Sequence, residues 1–352
     1  MGAKPKLAVI GAGGWGRLHA ENAVTTHDWD VVAYVDRNPE VLAWLQTERD
    51  VPASKCFAST DEVFAAGYPD AATISIPNPG RTPVLVQLLK AGVSVLSDKP
   101  LAHTASDLRA IGNALAEGGA MLMVGQNYRF DPDVRAMHEI VQSGVYGPLE
   151  HVTVHFAINA RFTKDAFYKE LEGGTLVLVE MGVHHFDMLR YIMACDAVEV
   201  FGRCWSSLAG WIKGCTGAQA LITFENGAHV TYDADWNTHG KLTDWGAHWT
   251  LQFADATIHW EPRTANSPRI MSVTPGIDTG IWEGIVSRYP SAENHMRMAF
   301  DEFSDAYLTH RTPECDFRDN IRSLGVSLAI IESSNSGGVV RLADVMSEIA
   351  PR

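Results

Sequence analysis

Lys6-Leu7-Ala8-Val9-Ile10-Gly11-Ala12-Gly13-Gly14-Trp15-Gly16 runs a short apolar strand directly into a G-x-G-x-x-G loop. A helix-compatible stretch follows, then a second apolar strand, Val31–Val35, that ends on Asp36. The order of strand, glycine loop, helix, strand and acid is the dinucleotide-binding fingerprint in its structural context. Gly11 permits the tight turn, Gly13 lets the backbone approach a pyrophosphate, and Gly16 lets the helix pack on the strand. The helix start, including the Gly14 and Trp15 amides, offers N–H groups and a positive dipole end to phosphate. Asp36 lies twenty residues past Gly16, where its carboxylate accepts hydrogen bonds from ribose hydroxyls. The cofactor expected is NAD, because Asp36 repels a 2′-phosphate. Arg37 beside it leaves NADP possible.

The chain has 352 residues, long enough for two domains. Hydrophobic residues make up 46% and charged residues 20%, as in a folded globular protein. A net charge of −14 argues against nucleic-acid and anionic-membrane partners. No apolar run is long enough to span a bilayer, and the N-terminal residues show neither a signal-peptide core nor a myristoylation site. The five cysteines are scattered and never form C-x-x-C. A cytoplasmic protein with reduced thiols and no zinc site is therefore expected.

Residues 1–125 alternate strands (Leu7–Ile10, Val31–Val35, Ala71–Ile76, Val93–Ser97, Met121–Val124) with helical stretches (Pro39–Glu48, Thr60–Ala66, Thr82–Ala91, Ser106–Glu117). That pattern predicts an α/β Rossmann domain with a doubly wound parallel sheet. Residues 126–352 read as an α+β domain with a large, mostly antiparallel sheet. Its strands are expected at His151–Ile158, Val198–Trp205, Ala218–Phe224, Ala228–Asp235, Trp249–Phe253 and Thr257–Trp260. Asn226-Gly227 marks a hairpin turn, and one helix, Thr175–Met193, is inserted. Helix returns at Ala292–Leu308 and Phe317–Ser333.

Two segments carry candidate chemistry. Ser97-Asp98-Lys99-Pro100 follows a buried strand, at the carboxyl edge where open α/β sheets bind ligands. Lys99 there reaches the nicotinamide half of a cofactor or polarises a substrate oxygen, and Pro100 disfavours helix at Lys99. In the second segment, Glu180, His184 and Asp187 are spaced to share one face of an α-helix that is otherwise apolar. A histidine with a carboxylate one turn away suits proton transfer near neutral pH. Mutual satisfaction of buried polar groups is the alternative. No third ligand lies nearby, so no metal is expected.

These motifs resemble the Gfo/Idh/MocA family of NAD(P)-dependent oxidoreductases. The likeness rests on the glycine loop, Pro77-Asn78, Lys99-Pro100, Asn127-Tyr128-Arg129-Phe130, and Gly173-Gly174 with Glu180, Gly182, His184 and Asp187. It runs nearly end to end. The resemblance implies a Rossmann domain plus a sheet domain, with Lys99, Glu180 and His184 as the proton-handling set. Pro77, Asn78, Asp98, Lys99 and Gln126 are expected at the cofactor, and Asn127, Arg129, Asn159 and Arg161, polar residues near strand ends, at the substrate beside Lys99, Glu180 and His184. Lys169, Asp235 and Asn237 are further polar candidates near strand ends. Three positions depart from the family's usual residues. Asp98 stands for Glu, Glu180 for Asp, and Arg81 for a histidine often found after the Pro-Asn pair.

The activity expected is hydride transfer between a nicotinamide and a secondary alcohol of a sugar, inositol or polyol. A redox-neutral NAD-dependent glycosidase is the nearest rival, and a non-enzymatic NAD-binding sensor is the next. Seven of the ten tryptophans lie between Trp205 and Trp282. Most of them are expected to cover the sheet against a second subunit, in a homodimer or homotetramer.

Overall fold

The computed structural model describes residues 3–78, 80–160, 177–207, 214–262, 270–275, 283–284 and 295–350. The chain divides into two units. The first holds Met1–Asn127, Asn294–Ile321 and Glu348–Arg352, and the second holds Tyr128–Glu293 and Arg322–Ser347.

In the first unit the elements alternate: β1 (Lys6–Ile10), α1 (Gly16–Val24), β2 (Asp30–Val35), α2 (Pro39–Glu48), β3 (Cys56–Phe57), α3 (Thr60–Ala65), β4 (Ala71–Ile74), α4 (Arg81–Lys90), β5 (Ser94–Ser97), α5 (Ala105–Gly118) and β6 (Leu122–Val124). The six strands pair in parallel in the order β3-β2-β1-β4-β5-β6. Strand order therefore reverses between β1 and β4, the switch point where such sheets hold ligands. Strands β1, β4, β5 and β6 are almost wholly buried, as apolar runs in a sheet covered on both faces must be. Helix ends follow local chemistry. Thr104 Oγ1 accepts the Asp107 N–H at 3.1 Å to start α5, and Gly119 stops it at φ 65. Strand β3 has two residues, too few to show a period, and only its pairing with Tyr34 and Val35 defines it.

The later elements are α6 (Pro132–Ser143), β7 (Leu149–Ala157), a π-helical turn (Val177–Gly182), α7 (Val183–Met193), β8 (Ala197–Trp205), β9 (Gly217–Phe224), β10 (His229–Asp235), β11 (His248–Phe253), β12 (Ala256–Glu261), β13 (Ile270–Pro275), β14 (Glu283–Gly284), α8 (His295–Leu308), α9 (Phe317–Ser336), β15 (Val340–Arg341) and α10 (Leu342–Ile349). Among the described residues the second sheet has nine strands, in the order β14-β13-β12-β11-β7-β10-β9-β8-β15. All its pairs are antiparallel except β7 with β10. The Asn226-Gly227 turn joins β9 to β10, with Gly227 at φ 83.

The sequence reading needs two corrections here. It assigns everything past residue 125 to the second domain, yet α8 packs in the first unit. The Trp29 indole donates to Ser304 Oγ at 2.8 Å, and Asn22 donates to the Met296 carbonyl at 3.3 Å. Met296, Ala299, Phe300 and Phe303 give α8 an apolar face that local periodicity cannot direct to one unit rather than another. The tryptophans are the second correction. Trp236, Trp249 and Trp260 are core residues of their own unit. Trp249 and Trp260 pair across β11 and β12, and the Trp260 indole donates to Asp133 at the start of α6, at 3.1 Å. Among the described residues between Trp205 and Trp260, only Trp205 and Trp245 are exposed tryptophans. An alternating strand pattern shows two faces without saying which one is covered.

Candidate active site

The glycine loop is shaped by its own backbone. Gly11 has φ 81, and a Cβ on Gly16 would lie 2.0 Å from the Gly11 carbonyl oxygen, so both glycines are demanded by packing. Gly13 is different. A Cβ there would meet Val41 at 3.3 Å and Asp36 at 3.5 Å, and one on Gly14 would meet nothing within 4 Å. Protein packing alone does not exclude side chains at these two positions, which leaves an open backbone cradle. No side chain caps α1; its first amides, those of Gly16, Arg17 and Leu18, donate to the carbonyls of Gly13, Gly14 and Trp15 and so tighten the loop at the positive end of the helix. Trp15 is exposed at the lip of this loop.

Asp36 is held in place. Its Oδ2 accepts from the Ala12 N–H at 2.9 Å and the Gly13 N–H at 3.0 Å, and its Oδ1 accepts from the Asn38 N–H at 2.8 Å. One carboxylate thus joins the end of β2 to the glycine loop. Arg37 beside it is exposed. Gln126 is fully buried, and neither atom of its amide has a hydrogen-bond partner among the described residues. An orphaned amide in a protein interior is costly unless a ligand satisfies it. Cradle, anchored acid and buried amide together fit a dinucleotide.

Lys99 follows β5, half-buried, with its peptide to Pro100 in the cis form. Its surroundings are fixed by a residue to which sequence reasoning gave no role. The buried Arg81 guanidinium donates to the carbonyls of Ile76, Asp98 and Pro100, the last two flanking Lys99. Asn78 also donates to the Pro100 carbonyl, at 3.2 Å, while Pro77 is exposed. The Asp98 carboxylate accepts from Ser75 Oγ at 2.7 Å and from the Lys99 N–H at 3.2 Å. Arginine's planar fork serves several carbonyls at once, which the imidazole usual in the family does not. The signal for Arg81 was its departure from the family residue. Nearby His19 is buried, and desolvation holds its pKa below the ordinary range against the pull of Asp98.

In the second unit the motif helix is not a plain α-helix. Val177–Gly182 forms a π-helical turn, and α7 begins only at Val183. Glu180 therefore sits on the wider turn and His184 on the α-helix, which corrects the single α-helical face read from spacing. Such turns recur at functional sites. Glu180 and His184 are both buried, and the His184 ring stacks on Tyr128 with centroids 4.5 Å apart. Tyr128 was overlooked because its flanking Asn127 and Arg129 look more like ligand groups. Burial pushes its phenol pKa up, so it stays neutral.

Arg129 is committed elsewhere than the sequence suggests. It forms a buried two-point pair with Asp187, Nε to Oδ2 at 2.9 Å and Nη2 to Oδ1 at 2.6 Å, and Ser323 adds a hydrogen bond at 3.2 Å. Arg129 and Asp187 thus orient α7 rather than present their charges to a ligand. The neighbouring His185 is also structural. Its ring lies between the Tyr232 hydroxyl and the Trp245 carbonyl, each at 3.0 Å, and burial lowers its pKa to about 4. Asn159 bridges Asn237, which also takes the Asp235 carboxylate on its backbone N–H at 2.7 Å. Asn127 is half-buried in the short helical turn Asn127–Phe130. Arg161 and Lys169 lie outside the described residues.

Residues 6–126 match the oxidoreductase family described as having an NAD-binding Rossmann fold, and residues 134–258 match the GFO/IDH/MocA C-terminal domain. The chain belongs to the Gfo/Idh/MocA family. It is an NAD-binding oxidoreductase. Among its relatives is an inositol 2-dehydrogenase of Rhizobium meliloti, 27% identical over 67% of this chain and 73% of that protein. A D-apiose dehydrogenase of Paraburkholderia graminis is 22% identical over 97% of this chain and 91% of that one. A solved oxidoreductase of Agrobacterium radiobacter, in complex with NAD+, L-tartaric acid and magnesium, superposes with a TM-score of 0.83 at 19% identity, covering 97% of this chain and 99% of that chain. That likeness shows the shared fold. Among the described residues no helix is long and apolar enough to cross a membrane.

Proposed function

We propose that this oxidoreductase moves a hydride between NAD and a secondary alcohol of a sugar, inositol or polyol, with Lys99 and His184 handling the hydroxyl proton. The observation that carries the reading is the buried Glu180–His184 pair at a π-to-α junction, an acid and a base that apolar packing does not require. Bound NAD supplies the hydride acceptor or donor. His184 takes the hydroxyl proton in oxidation, Lys99 polarises the same oxygen, and Glu180 orients His184 or binds a neighbouring hydroxyl. The named inositol and apiose dehydrogenases support this substrate class. Asp36, fixed against the glycine loop, favours NAD over NADP by placing a negative charge where a 2′-phosphate would need a cation.

The test is near-ultraviolet NADH absorbance with a panel of inositols, polyols, aldoses and glycosides, run with NAD and with NADP. Steady NADH formation with one alcohol class, faster and tighter with NAD than with NADP, is expected. Glycoside cleavage that requires NAD but accumulates no NADH would replace the reading with a redox-neutral one. NADP equal to or better than NAD would overturn the role of Asp36.

We also propose that the second-unit sheet joins copies of this chain. Phe201 and Leu221 face each other in the β8–β9 register and are 40% and 60% exposed, an adjacent apolar pair that a second copy would cover. Size-exclusion chromatography at micromolar protein is expected to show a dimer or tetramer, and a monomer peak would refute the proposal. The cytoplasmic setting is part of the same reading, and it suits the unpaired thiols.

A further inference from the structure

We propose that Gln126 recognises the carboxamide of the nicotinamide ring through a two-point, amide-to-amide hydrogen bond. The assignment rests on the NAD-binding reading of the first unit and says which end of the cofactor this residue takes. Gln126 follows β6, the edge strand of the first sheet, with only Gly125 between them. Its side chain is fully buried, and neither Oε1 nor Nε2 has a hydrogen-bond partner among the described residues. A donor and an acceptor are thus taken from water with nothing in return. The backbone here is fully engaged. The Val124 N–H donates to the Cys315 carbonyl at 3.0 Å, the Gly125 N–H to the Ser97 carbonyl at 2.8 Å, and the Gln126 N–H to the Val124 carbonyl at 2.8 Å. Three successive amides therefore pin the exit of β6, whereas the side-chain amide has no hydrogen bond to break. It can turn through its side-chain torsions toward a bound group at little cost.

Topology selects the end of the cofactor. The glycine loop and Asp36 follow β1 and β2, so pyrophosphate and adenosine ribose belong to that half of the sheet. Strand order reverses between β1 and β4, and the exits of β4, β5 and β6 carry the other mononucleotide half. Lys99 stands at the β5 exit and Gln126 at the β6 exit, and the Gly125–Ser97 hydrogen bond joins the two. His19 and Thr73 are also buried without partners, but they lie on α1 and within β4, not at a strand's carboxyl end. The chemistry of the amide narrows the choice further. A phosphate offers acceptors only and would leave Oε1 unmatched, and a ribose hydroxyl has a single proton to give. A primary carboxamide presents a carbonyl and an N–H side by side, so it matches Nε2 and Oε1 together in one plane.

Equilibrium binding to the intact protein, by isothermal titration calorimetry, tests this without any assay of turnover. The probes are NAD, ADP-ribose, which lacks the nicotinamide, and nicotinic acid adenine dinucleotide, in which a carboxylate replaces the carboxamide. The wild type is expected to bind NAD about 10-fold more tightly than the acid analogue, because a carboxylate has no proton to give Oε1. Gln126→Met keeps the length of the side chain and removes its amide. It is expected to weaken NAD by about 10-fold, the loss of two hydrogen bonds, and to hold ADP-ribose within about twofold of the wild type. The preference for NAD over the acid analogue is expected to vanish in the same variant. Equal affinity of the wild type for NAD and the acid analogue would overturn the assignment without any variant. So would an unchanged NAD affinity in Gln126→Met, or a loss of ADP-ribose binding there. A wild type that binds none of the three probes would overturn the NAD-binding reading itself, and this assignment with it.

Discussion

Asp187→Asn is expected to lower the stability of the second unit by about 3–5 kcal/mol, the cost of leaving a buried charge without its partner. Asp187 is 1% exposed and Arg129 5%, so almost no water remains to solvate the guanidinium once the carboxylate is gone. The loss falls on α7, because the pair ties this helix to the Asn127–Phe130 turn, and Ser323 Oγ also donates to Asp187. Arg129→Met is expected to be similarly damaging. The double replacement Arg129→Met with Asp187→Leu is expected to recover much of the loss, since apolar side chains of similar size need no partner. Urea unfolding of the four proteins measures this. A single Asp187→Asn change within about 0.5 kcal/mol of the parent, as for a surface position, would show that the pair does not hold the helix.

His184→Ala is expected to reduce turnover by about 10²–10⁴-fold, the usual contribution of a positioned general base, while leaving the dissociation constant for NAD unchanged. The separation of effects follows from the fold. The glycine loop, Asp36 and Gln126 belong to the first unit, whereas His184 sits on α7 of the second. Stacking on Tyr128 fixes the imidazole plane, so the substitution removes the imidazole without repacking α1 or the loop after β1. Fluorescence titration with NADH and steady-state rates on the same preparation separate the two quantities. Lost cofactor binding, with turnover per bound enzyme intact, would remove His184 from the chemistry. The adjacent His185 supplies the contrast. Held neutral between Tyr232 and Trp245, it is expected to affect stability more than rate when replaced.

Much of the first unit was legible because its signals are local. Apolar runs of buried parallel strands, Thr104 before α5, Gly119 after it and the glycine loop each state their structure within a few residues. The second sheet was readable as strands from alternation, and its parallel β7–β10 pair was not, because pairing direction is decided by a partner distant in the chain. The site divided in the same way. Lys99 and His184 stood out by type and position, yet Arg81 and Tyr128 act through neighbours in space, the carbonyls flanking Lys99 and the ring of His184. Arg129 was misread for the converse reason. A charged residue in a motif looks available until its partner, 58 residues away, is seen to neutralise it.

The sequence by itself determined the Rossmann unit, the dinucleotide cradle, the acid at the end of β2 and the family, since these depend on steric and hydrogen-bonding rules acting over a turn or a strand. Tertiary structure alone decided which charges stay available for chemistry and which are consumed in holding the fold. It placed Glu180 on a π-turn, bound Asp187 to Arg129, buried three tryptophans and sent α8 to the first unit. Desolvation and pairing depend on everything within a few ångströms of a group, and that neighbourhood is assembled from residues far apart in the chain.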